Sequence, residues 1–218
     1  MGSIYDASMD SNLIAEINRT AWNNIVRSGK GIHPYTGDKK SEWLRHFMES
    51  LPSGGKVLDL GCGDGIPVGE QLSEKRFILT GVDVSDEMIK AYAMNVPGAE
   101  VHRMPMTDIA WNQAFDGVVS SFSMLLLPPE DFRLVAGKVA KALKPQGYLI
   151  LMLNEGDSSF GDVQEIQGEQ MYSTVVSEQE VRSSFEPQLE LMSLDRETVT
   201  TEEYGTEHTM MFLFQKPQ

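Results

Sequence analysis

Short apolar runs alternate with amphipathic stretches through the middle of this chain. Five apolar runs predict β-strands, near 56–60, 77–82, 99–103, 115–120 and 147–153. Three amphipathic stretches between them predict helices, near 66–75, 86–95 and 129–143. Because nearly continuous apolar strands alternate with helices, we expect an α/β fold whose mostly parallel sheet is covered on both faces.

The N-terminal part of the chain follows a helical pattern. Apolar residues at helical spacing predict an amphipathic helix over 11–27, and a second apolar face runs from Trp43 to Leu51. We expect residues 1–52 to form a helical cap that is part of the same domain as residues 53–218.

After Leu153 the alternation stops. Residues 154–176 are polar and are predicted to be irregular. Ser177 opens a Ser-Glu-Gln-Glu capping box, which predicts the start of a helix. Extended runs at 189–199 and 208–215 predict an antiparallel hairpin that brings the sheet to seven strands.

The composition is that of an ordinary globular domain. The chain has 218 residues, 41% hydrophobic and 23% charged, which is enough for one complete core. No apolar run is long enough to cross a bilayer and no secretory signal is visible, so we expect no membrane partner. A single cysteine excludes an internal disulfide framework and favours a reducing compartment, the cytoplasm. The net charge of -14 argues against a nucleic-acid partner.

A glycine-rich turn directly follows the first predicted strand. Gly61, Gly63 and Gly65 alternate with other residues, so the backbone there can turn tightly and approach a ligand closely. The second apolar run ends in Asp83, where α/β nucleotide folds place a carboxylate that accepts ribose hydroxyls. Together these features predict a site for an adenosine-type cofactor. Ile66 stands where a dinucleotide fingerprint has its third glycine, which weighs against nicotinamide or flavin.

Plainer interpretations of these residues stay open. The glycines alone are compatible with a tight turn that binds nothing, and Asp83 with a cap of the next helix, although Ser85 is the better cap. We interpret Cys62 as a small buried side chain because no histidine lies near it in sequence. The histidines and carboxylates show no metal-ligand spacing, so no metal is expected.

Four motifs occur in the order in which one enzyme family carries them. They are residues 59–65 (DLGCGDG), 81–85 (GVDVS), 115–120 (FDGVVS) and 143–149 (LKPQGYL). With these motifs, the chain from about residue 50 to 218 resembles the class I S-adenosylmethionine-dependent methyltransferases of small molecules. It is similar to the group that includes ubiquinone/menaquinone-biosynthetic and trans-aconitate-type enzymes. The resemblance implies a Rossmann-like fold and S-adenosyl-L-methionine as cofactor, with S-adenosyl-L-homocysteine as its product.

The resemblance also implies roles for residues of the first two motifs. Asp59 is expected to fix the loop and to help hold the cofactor's ammonium group. Asp83 is expected to accept both ribose hydroxyls in charge-assisted hydrogen bonds. The methionine half of the cofactor is expected to lie along the protein backbone at Gly61, Cys62, Gly63 and Gly65.

The remaining cofactor contacts are implied on the adenine side and at the end of the fourth strand. They are assigned to Val84, Met88, Met104, Pro105, Met106 and Ser120. Pro105 stands where relatives often carry an acidic residue for the adenine amino group. Adenine recognition is therefore assigned to the backbone of Met106 with apolar contact, or to Asp108.

The acceptor side departs from the family pattern. Many small-molecule relatives carry a histidine after the fourth strand, and Leu126 takes its place here. We therefore expect an acidic or weakly protonated acceptor, such as a carboxylate, enol, phenol or thiol, or a base supplied elsewhere. The resemblance implies that residues 154–176 form a lid over the substrate. Tyr172 and His33 are the candidate catalytic residues, and substrate contacts are assigned to Tyr35, Phe122, Leu126 and Tyr172.

The leading hypothesis is methyl transfer by in-line displacement to a small molecule, with oxygen favoured as the acceptor atom, by a monomer or homodimer. A second hypothesis is a protein that binds S-adenosylmethionine without transferring the methyl group, as an isomerase, a cyclase or a partner module. The absence of the family histidine keeps this second hypothesis open. A third, nicotinamide-dependent reduction, is disfavoured by Ile66.

Overall fold

The computed structural model describes residues 10–29, 38–156, 161–201 and 205–218. Within these residues the α-helices are α1 (Ser11–Arg27), α2 (Asp38–Glu49), α3 (Val68–Glu74), α4 (Asp86–Asn95), α5 (Pro129–Ala142) and α6 (Glu178–Phe185). The strands are β1 (Lys56–Leu60), β2 (Ile78–Asp83), β3 (Glu100–Arg103), β4 (Phe115–Ser121), β5 (Leu143–Asn154), β6 (Asp162–Ile166), β7 (Glu169–Ser173), β8 (Glu190–Thr201) and β9 (Gly205–Gln215). Short 3-10 turns lie at Met106–Asp108 and Met124–Leu126.

Seven of these strands form one sheet, in the order β3-β2-β1-β4-β5-β9-β8. Strands β1 to β5 are parallel, whereas β9 pairs antiparallel with β5 and β8 pairs antiparallel with β9. The predicted class, a Rossmann-like α/β fold with a C-terminal antiparallel hairpin, is confirmed. The chain order reverses between β1 and β4. Open α/β sheets bind ligands at the carboxyl ends of the strands at such a reversal.

Both faces of the sheet are covered because side chains alternate along each strand. Leu58 of β1 enters one core layer together with Phe132 of α5 and Phe185 of α6. Val57, from the same strand, enters the opposite layer together with Phe47 of α2. The sheet is therefore rigid on both sides, and its carboxyl edge is held in place for a ligand.

Capping side chains set the helix boundaries near this edge. The Ser85 hydroxyl accepts a hydrogen bond from the backbone N–H of Met88 at 3.1 Å, so α4 begins directly after it. The Ser177 hydroxyl accepts from the backbone N–H of Glu180 at 3.2 Å and begins α6 in the same way. Both caps confirm the sequence predictions, and α1 and α4 have the predicted bounds.

The segment 154–176 corrects one expectation. It was expected to be irregular, but β6 and β7 pair within it as an antiparallel hairpin. The turn residues Gln167 and Gly168 have φ values of 53° and 84°. Two central residues with positive φ are typical of the type I′ turn, which matches the twist of the strands it joins. The polar side chains of both strands hid this hairpin in the sequence.

Other boundaries also differ from the predictions, and those of β5 and α3 have a clear physical reason. Strand β5 is longer than the predicted 147–153, because Leu143 already pairs with Phe115 before a register shift. Helix α3 begins at Val68, two residues later than expected, because Pro67 precedes it as the N-cap residue.

The two described N-terminal helices pack on different parts of the fold. Helix α1 contacts β7 and α4. Helix α2 contacts β5, and its Phe47 side chain lies in the same core layer as Ile150 of that strand. The role of residues 1–52 as a cap within one domain stays a prediction.

Candidate active site

The glycine-rich loop begins where β1 ends. Its three glycines have positive φ values, 71° at Gly61, 55° at Gly63 and 86° at Gly65, a conformation that other residues rarely adopt. The backbone N–H groups of Gly61 and Cys62 both donate to the carbonyl oxygen of Val82, at 2.8 and 3.0 Å. The loop is thus built from backbone and tied to the end of β2.

The surroundings of the three glycines differ. A Cβ atom on Gly61 would overlap Ser123 and lie 2.6 Å from Met106 Cε. A Cβ atom on Gly65 would lie 2.7 Å from the nearest side chain. The protein's own packing therefore requires glycine at these two positions. A Cβ atom on Gly63 would meet nothing within 4 Å, so the backbone at Gly63 faces open space and can contact a ligand.

Asp83 lies beside this open position at the end of β2. Its Oδ2 accepts a hydrogen bond from the backbone N–H of Gly63 at 3.0 Å, and its Oδ1 accepts from the backbone N–H of Ser85 at 2.9 Å. Burial raises the pKa of the Asp83 carboxyl, although both N–H donors act to lower it. Each carboxylate oxygen keeps lone-pair capacity for a further donor, as ribose hydroxyls would supply.

Asp59 lies beneath the loop and is only 3% exposed. Its Oδ2 accepts a hydrogen bond from the Tyr92 hydroxyl of α4 at 3.2 Å. Burial raises the pKa of Asp59 to about 7, the Tyr92 hydrogen bond lowers it, and the nearby charge of Asp83 adds to the rise. Burial also raises the pKa of the Cys62 thiol, which agrees with its interpretation as a small buried side chain rather than a nucleophile.

The charges at the loop select the kind of ligand. Burial and the charge of Asp83 raise the cost of ionising Asp59, burial raises that of Asp83, and a positive charge bound near the two carboxyls would relieve this cost. A pyrophosphate would instead add negative charge. The loop therefore fits a cationic adenosyl cofactor, with open space at Gly63 and hydroxyl acceptors on Asp83, better than it fits a dinucleotide.

The residues predicted on the adenine side lie around Asp83. The backbone N–H of Met104 donates to the Asp83 carbonyl oxygen at 3.0 Å, which places the segment after β3 beside β2. Met106 reaches back to Gly61, and Met88 is buried in the first turn of α4. Val84 and Pro105 are half-buried in the same region. The adenine contacts assigned to these residues stay predictions, and the alternative, Asp108, is exposed.

A pair of serines joins β4 to the glycine loop. The Ser123 hydroxyl donates to the carbonyl oxygen of Leu60 at 2.5 Å, and Ser120 Oγ lies 2.8 Å from Ser123 Oγ. Both serines are buried. Ser120 therefore acts on the loop through Ser123 in this structure, and its predicted direct contact with a cofactor stays a prediction.

Phe122 marks the beginning of the acceptor side. It follows β4 with a positive φ of 54°, and the Lys40 ammonium of α2 lies 3.9 Å from the centre of its ring. Burial lowers the pKa of Lys40 to about 8, and the charges of Glu207 and Glu197 act in the opposite direction. A half-buried amine with this pKa can give or take a proton near neutral pH.

Leu126 and Tyr172 are brought together by α1. The Asn18 side chain donates to the carbonyl oxygens of Leu126 and Tyr172, at 3.1 and 3.2 Å, and accepts from the Tyr172 backbone N–H at 2.9 Å. The Tyr172 side chain is 6% exposed, and its hydroxyl accepts a hydrogen bond from the backbone of Gly161. Burial raises the pKa of that hydroxyl. His33 and Tyr35 lie outside the described residues.

Several side chains of this site were not predicted from the sequence. They are Asn18, Asn23, Lys40, Tyr92 and Ser123. For Asn18 a signal existed, because it falls on the apolar face of α1 between Ile14 and Ala21, where a polar residue needs a partner. The other four carry no such signal, since their partners come from distant parts of the chain.

Two surface clefts lie elsewhere. One, of about 310 Å³, lies between α1 and α4, and another, of about 500 Å³, lies between α2 and β8. Neither of these two clefts is lined by Gly63 or Asp83. Among the described residues, no group of three His, Cys, Asp or Glu side chains is placed to hold a metal ion. The expectation that no metal is needed stays a prediction.

The sheet order, the glycine loop and the acidic end of β2 together have the arrangement of the class I S-adenosylmethionine-dependent methyltransferase fold. Residues 57–147 match the family model described as a methyltransferase domain. The resemblance to this family that the sequence predicted and the predicted fold are confirmed.

Similar proteins agree with this assignment. The chain is 30% identical over 138 residues to the YqeM protein of Bacillus subtilis, across 57% of this chain and 56% of that protein. It is 35% identical over 111 residues to the carboxy-S-adenosyl-L-methionine synthase of Chromohalobacter salexigens, across 46% of this chain and 40% of that enzyme. The chain thus spans about half the length of the curated relatives it matches.

One solved structure is similar over the whole chain. It is the 1,6-didemethyltoxoflavin-N1-methyltransferase of Burkholderia thailandensis, with bound 1,6-didemethyltoxoflavin and S-adenosylhomocysteine. The TM-score is 0.71 at 16% identity, and the match covers 100% of this chain and 95% of that one. At this identity the similarity concerns the fold.

Proposed function

We propose that the protein binds S-adenosylmethionine at the carboxyl ends of β1 and β2 and transfers its methyl group to a small molecule. The observation that carries this proposal is the open space at Gly63 beside the Asp83 carboxylate, 3.0 Å from the Gly63 backbone nitrogen. The two carboxylates at the loop favour a cationic cofactor. The bound S-adenosylhomocysteine of the similar toxoflavin enzyme supports the same cofactor here.

The chain's own contribution is alignment and the exclusion of water. When bound, the sulfonium supplies a methyl group that is already activated for displacement. Asp83 accepts the ribose hydroxyls, and the backbone at Gly63 borders the methionine half. The hydrogen bond from Ser123 to Leu60 fixes the loop after β4 against the glycine loop, so that acceptor side and cofactor side keep a constant spacing.

A weakly acidic acceptor, methylated on oxygen, suits the acceptor side. Lys40 places a cation over Phe122, which favours a phenolate, enolate or carboxylate near this ring. Because the pKa of Lys40 is about 8, its neutral fraction near neutral pH can accept a proton from such a group. Lys40 joins His33 and Tyr35 as a candidate for acceptor binding or proton transfer, and Tyr172, whose hydroxyl is hydrogen-bonded to Gly161, is a candidate for acceptor contact rather than proton transfer.

The proposed partner is a small molecule rather than a nucleic acid. The net charge of -14 opposes a phosphate backbone, and the bound 1,6-didemethyltoxoflavin of the similar structure is an example of a small ligand in this fold. Among the described residues, no helix has the length and apolarity that a bilayer span requires. A cytoplasmic location, a monomer or homodimer and the absence of a metal belong to the same proposal.

Titration calorimetry with S-adenosylhomocysteine tests the cofactor part. The wild type is expected to bind, and Asp83→Asn to bind at least about tenfold more weakly, because it loses a charged acceptor. Glu100→Gln is the matched control, since it removes an exposed carboxylate from the neighbouring strand β3. A wild type without affinity, or Asp83→Asn with wild-type affinity, would contradict the proposal.

A second candidate function is chemistry on the cofactor without transfer of its methyl group. The similarity to a carboxy-S-adenosyl-L-methionine synthase supports it. The two functions are separated with methyl-labelled S-adenosylmethionine and a panel of phenols, enols, thiols and carboxylates. Label in an acceptor together with released S-adenosylhomocysteine supports transfer, whereas label retained on a modified cofactor supports the second candidate.

A further inference from the structure

Helix α1 carries two buried asparagines that hold two different parts of the site. Asn18 and Asn23 are each 4% exposed. They are five residues apart on one helix of 17 residues, so about 7.5 Å of rigid helix separates them along its axis. Buried amides are retained where their hydrogen bonds fix a particular arrangement, because an unpaired amide in the interior is costly.

Asn23 acts on the turn that carries Asp83. Its Oδ1 accepts hydrogen bonds from the Ser85 hydroxyl at 2.8 Å and from the backbone N–H of Glu87 at 3.1 Å. The backbone N–H of Ser85 in turn donates to Asp83 Oδ1, and the other carboxylate oxygen accepts from Gly63. A continuous chain of hydrogen bonds therefore runs from α1 through Ser85 to the predicted ribose acceptor and the glycine loop.

Asn18 acts on the acceptor side. Its three hydrogen bonds hold both the backbone N–H and the carbonyl of Tyr172 in β7 and the carbonyl of Leu126 after β4. Leu126 and Met171 also pack against α1 through Ala21 and Ile25. The hairpin β6–β7 is therefore attached to the sheet edge through α1.

Ion pairs also join α1 to α4, but they lie at the surface. Arg19 contacts Asp86 at 3.0 Å and Arg27 contacts Glu87 at 2.9 Å, with partly exposed side chains. Exposed pairs of this kind contribute little. The buried hydrogen bonds of the two asparagines are therefore the polar contacts that orient α1, alongside its apolar packing.

We propose that α1 couples the cofactor turn to the acceptor-side hairpin, with Asn23 and Asn18 as positioning residues at its two contacts. Docking of α1 orients Asp83 through Ser85 and at the same time holds Tyr172 and Leu126. Ligand binding at Asp83 stabilises the docked helix and so orders the hairpin before the acceptor binds. This inference rests on the proposed cofactor site, because it concerns what binding at that site does elsewhere.

The coupling is tested by binding and by exchange, without an activity assay. Calorimetry with S-adenosylhomocysteine is carried out on Asn23→Ala, Asn18→Ala and the double variant. Each single variant is expected to bind about tenfold more weakly. The double variant is expected to show about the same tenfold loss rather than about a hundredfold loss, because either change already undocks α1. Asn12→Ala, at an exposed position of the same helix, is the matched control and should bind like the wild type.

A purely structural role for Asn18 predicts a different pattern. It would lower the melting temperature of Asn18→Ala and leave the affinity of the folded protein unchanged, since Asn18 does not touch the cofactor turn. That result, or a double variant whose loss is the product of the two single losses, would overturn the coupling.

If a variant does not fold, hydrogen exchange on the wild type tests whether cofactor binding and the acceptor-side hairpin are coupled. The reporter is the Tyr172 amide, which donates to Asn18 at 2.9 Å. Saturating S-adenosylhomocysteine is expected to slow its exchange at least about threefold, in parallel with amides of α1. An unchanged rate in a protein that binds the ligand would overturn the inference. A wild type that does not bind the ligand would instead contradict the proposed function.

Discussion

The carboxyl ends of β1 and β2 differ from those of β4 and β5 in charge. Asp59 and Asp83 make the first pair of strand ends anionic, and both carboxyls have a raised pKa because they are buried. Strand β4 ends in Ser121 and is followed by Phe122, with the ammonium of Lys40 over its ring, and β5 ends in the uncharged Asn154. The first region suits a cation with hydroxyl groups and the second suits a weakly acidic molecule, an arrangement that agrees with the proposed methyl transfer from a sulfonium.

The two regions also differ in how they are assembled. The Asp83 hydrogen bond spans 20 residues of sequence and the Asp59 hydrogen bond spans 33. On the acceptor side, Asn18 reaches across 154 residues to Tyr172. The cofactor side is thus built on the sheet itself and is only supported by α1 through Asn23, whereas the acceptor-side hairpin is attached to the sheet through α1. Regions with few attachments open locally at lower free energy, so we expect the acceptor side to open first.

The largest expected effects distinguish two glycines of the cofactor side. Gly61→Ala places a methyl group in overlap with Ser123 at positive φ and should lower the free energy of unfolding by more than about 3 kcal/mol. Gly63→Ala meets open space and should cost only about 1 kcal/mol, yet weaken S-adenosylhomocysteine binding at least about tenfold. Urea denaturation and calorimetry measure the two quantities. If Gly63→Ala binds S-adenosylhomocysteine with wild-type affinity, the open space at Gly63 is not part of the cofactor site.

Asp59→Asn probes the charge of the cofactor side. The pKa of Asp59 rises from 3.8 to about 7 on folding, so the folded state binds the extra proton. The cost of ionising Asp59 is absent below about pH 4, grows as the pH rises towards 7 and is complete above it. The variant keeps an acceptor for Tyr92 and should be more stable than the wild type by up to about 4 kcal/mol at pH 8. Urea denaturation at pH 4, 6 and 8 should show the difference only at the higher pH values, and an equal difference at pH 4 would contradict the account.

Lys40→Met probes the acceptor side, where folding lowers the pKa of the buried group instead of raising it. Because folding lowers the pKa of Lys40 from 10.5 to about 8, the charged form costs stability below pH 8, and this cost disappears as the pH rises towards 10.5. After allowance for solvent screening, the variant should be more stable at pH 7 by up to about 2 kcal/mol, and the difference should shrink by pH 10. Lys39→Met, which removes a surface ion pair to Asp195, is the control and should show no such trend. A pH-independent difference for Lys40→Met would contradict the lowered pKa.

The smallest effect is expected for Tyr172→Phe. The Tyr172 hydroxyl accepts a hydrogen bond from Gly161, so its loss should cost about 1 kcal/mol of stability. With the hydroxyl engaged in this way, kcat should change by less than about threefold. Steady-state kinetics with the identified acceptor measures this, and a loss of a hundredfold or more would instead establish the catalytic role predicted from the sequence.

The cofactor side could be predicted from the sequence because its parts are local. The glycines, Asp59 and Asp83 lie within two strand-turn units, and Ser85 caps the next helix directly. What the sequence did not distinguish is which glycine serves packing and which faces open space. That distinction depends on Ser123 and Met106, which arrive from later in the chain.

The acceptor side was predicted less well for the same physical reason. The hairpin β6–β7 has polar side chains on both strands, and its turn uses Gln167 rather than the more recognisable asparagine. Lys40 gains its low pKa only through burial in the folded chain. Of the unpredicted residues, Asn18 alone was detectable, as a polar residue on the apolar face of α1.

A crystal structure of the complex with S-adenosylhomocysteine would show directly whether the carboxyl ends of β1 and β2 bind the cofactor. We predict that both ribose hydroxyls donate to the Asp83 carboxylate and that the methionine half of the ligand lies against the Gly63 backbone. A ligand bound elsewhere, such as in the charged cleft between α1 and α4, with Asp83 free of ribose contacts, would contradict it.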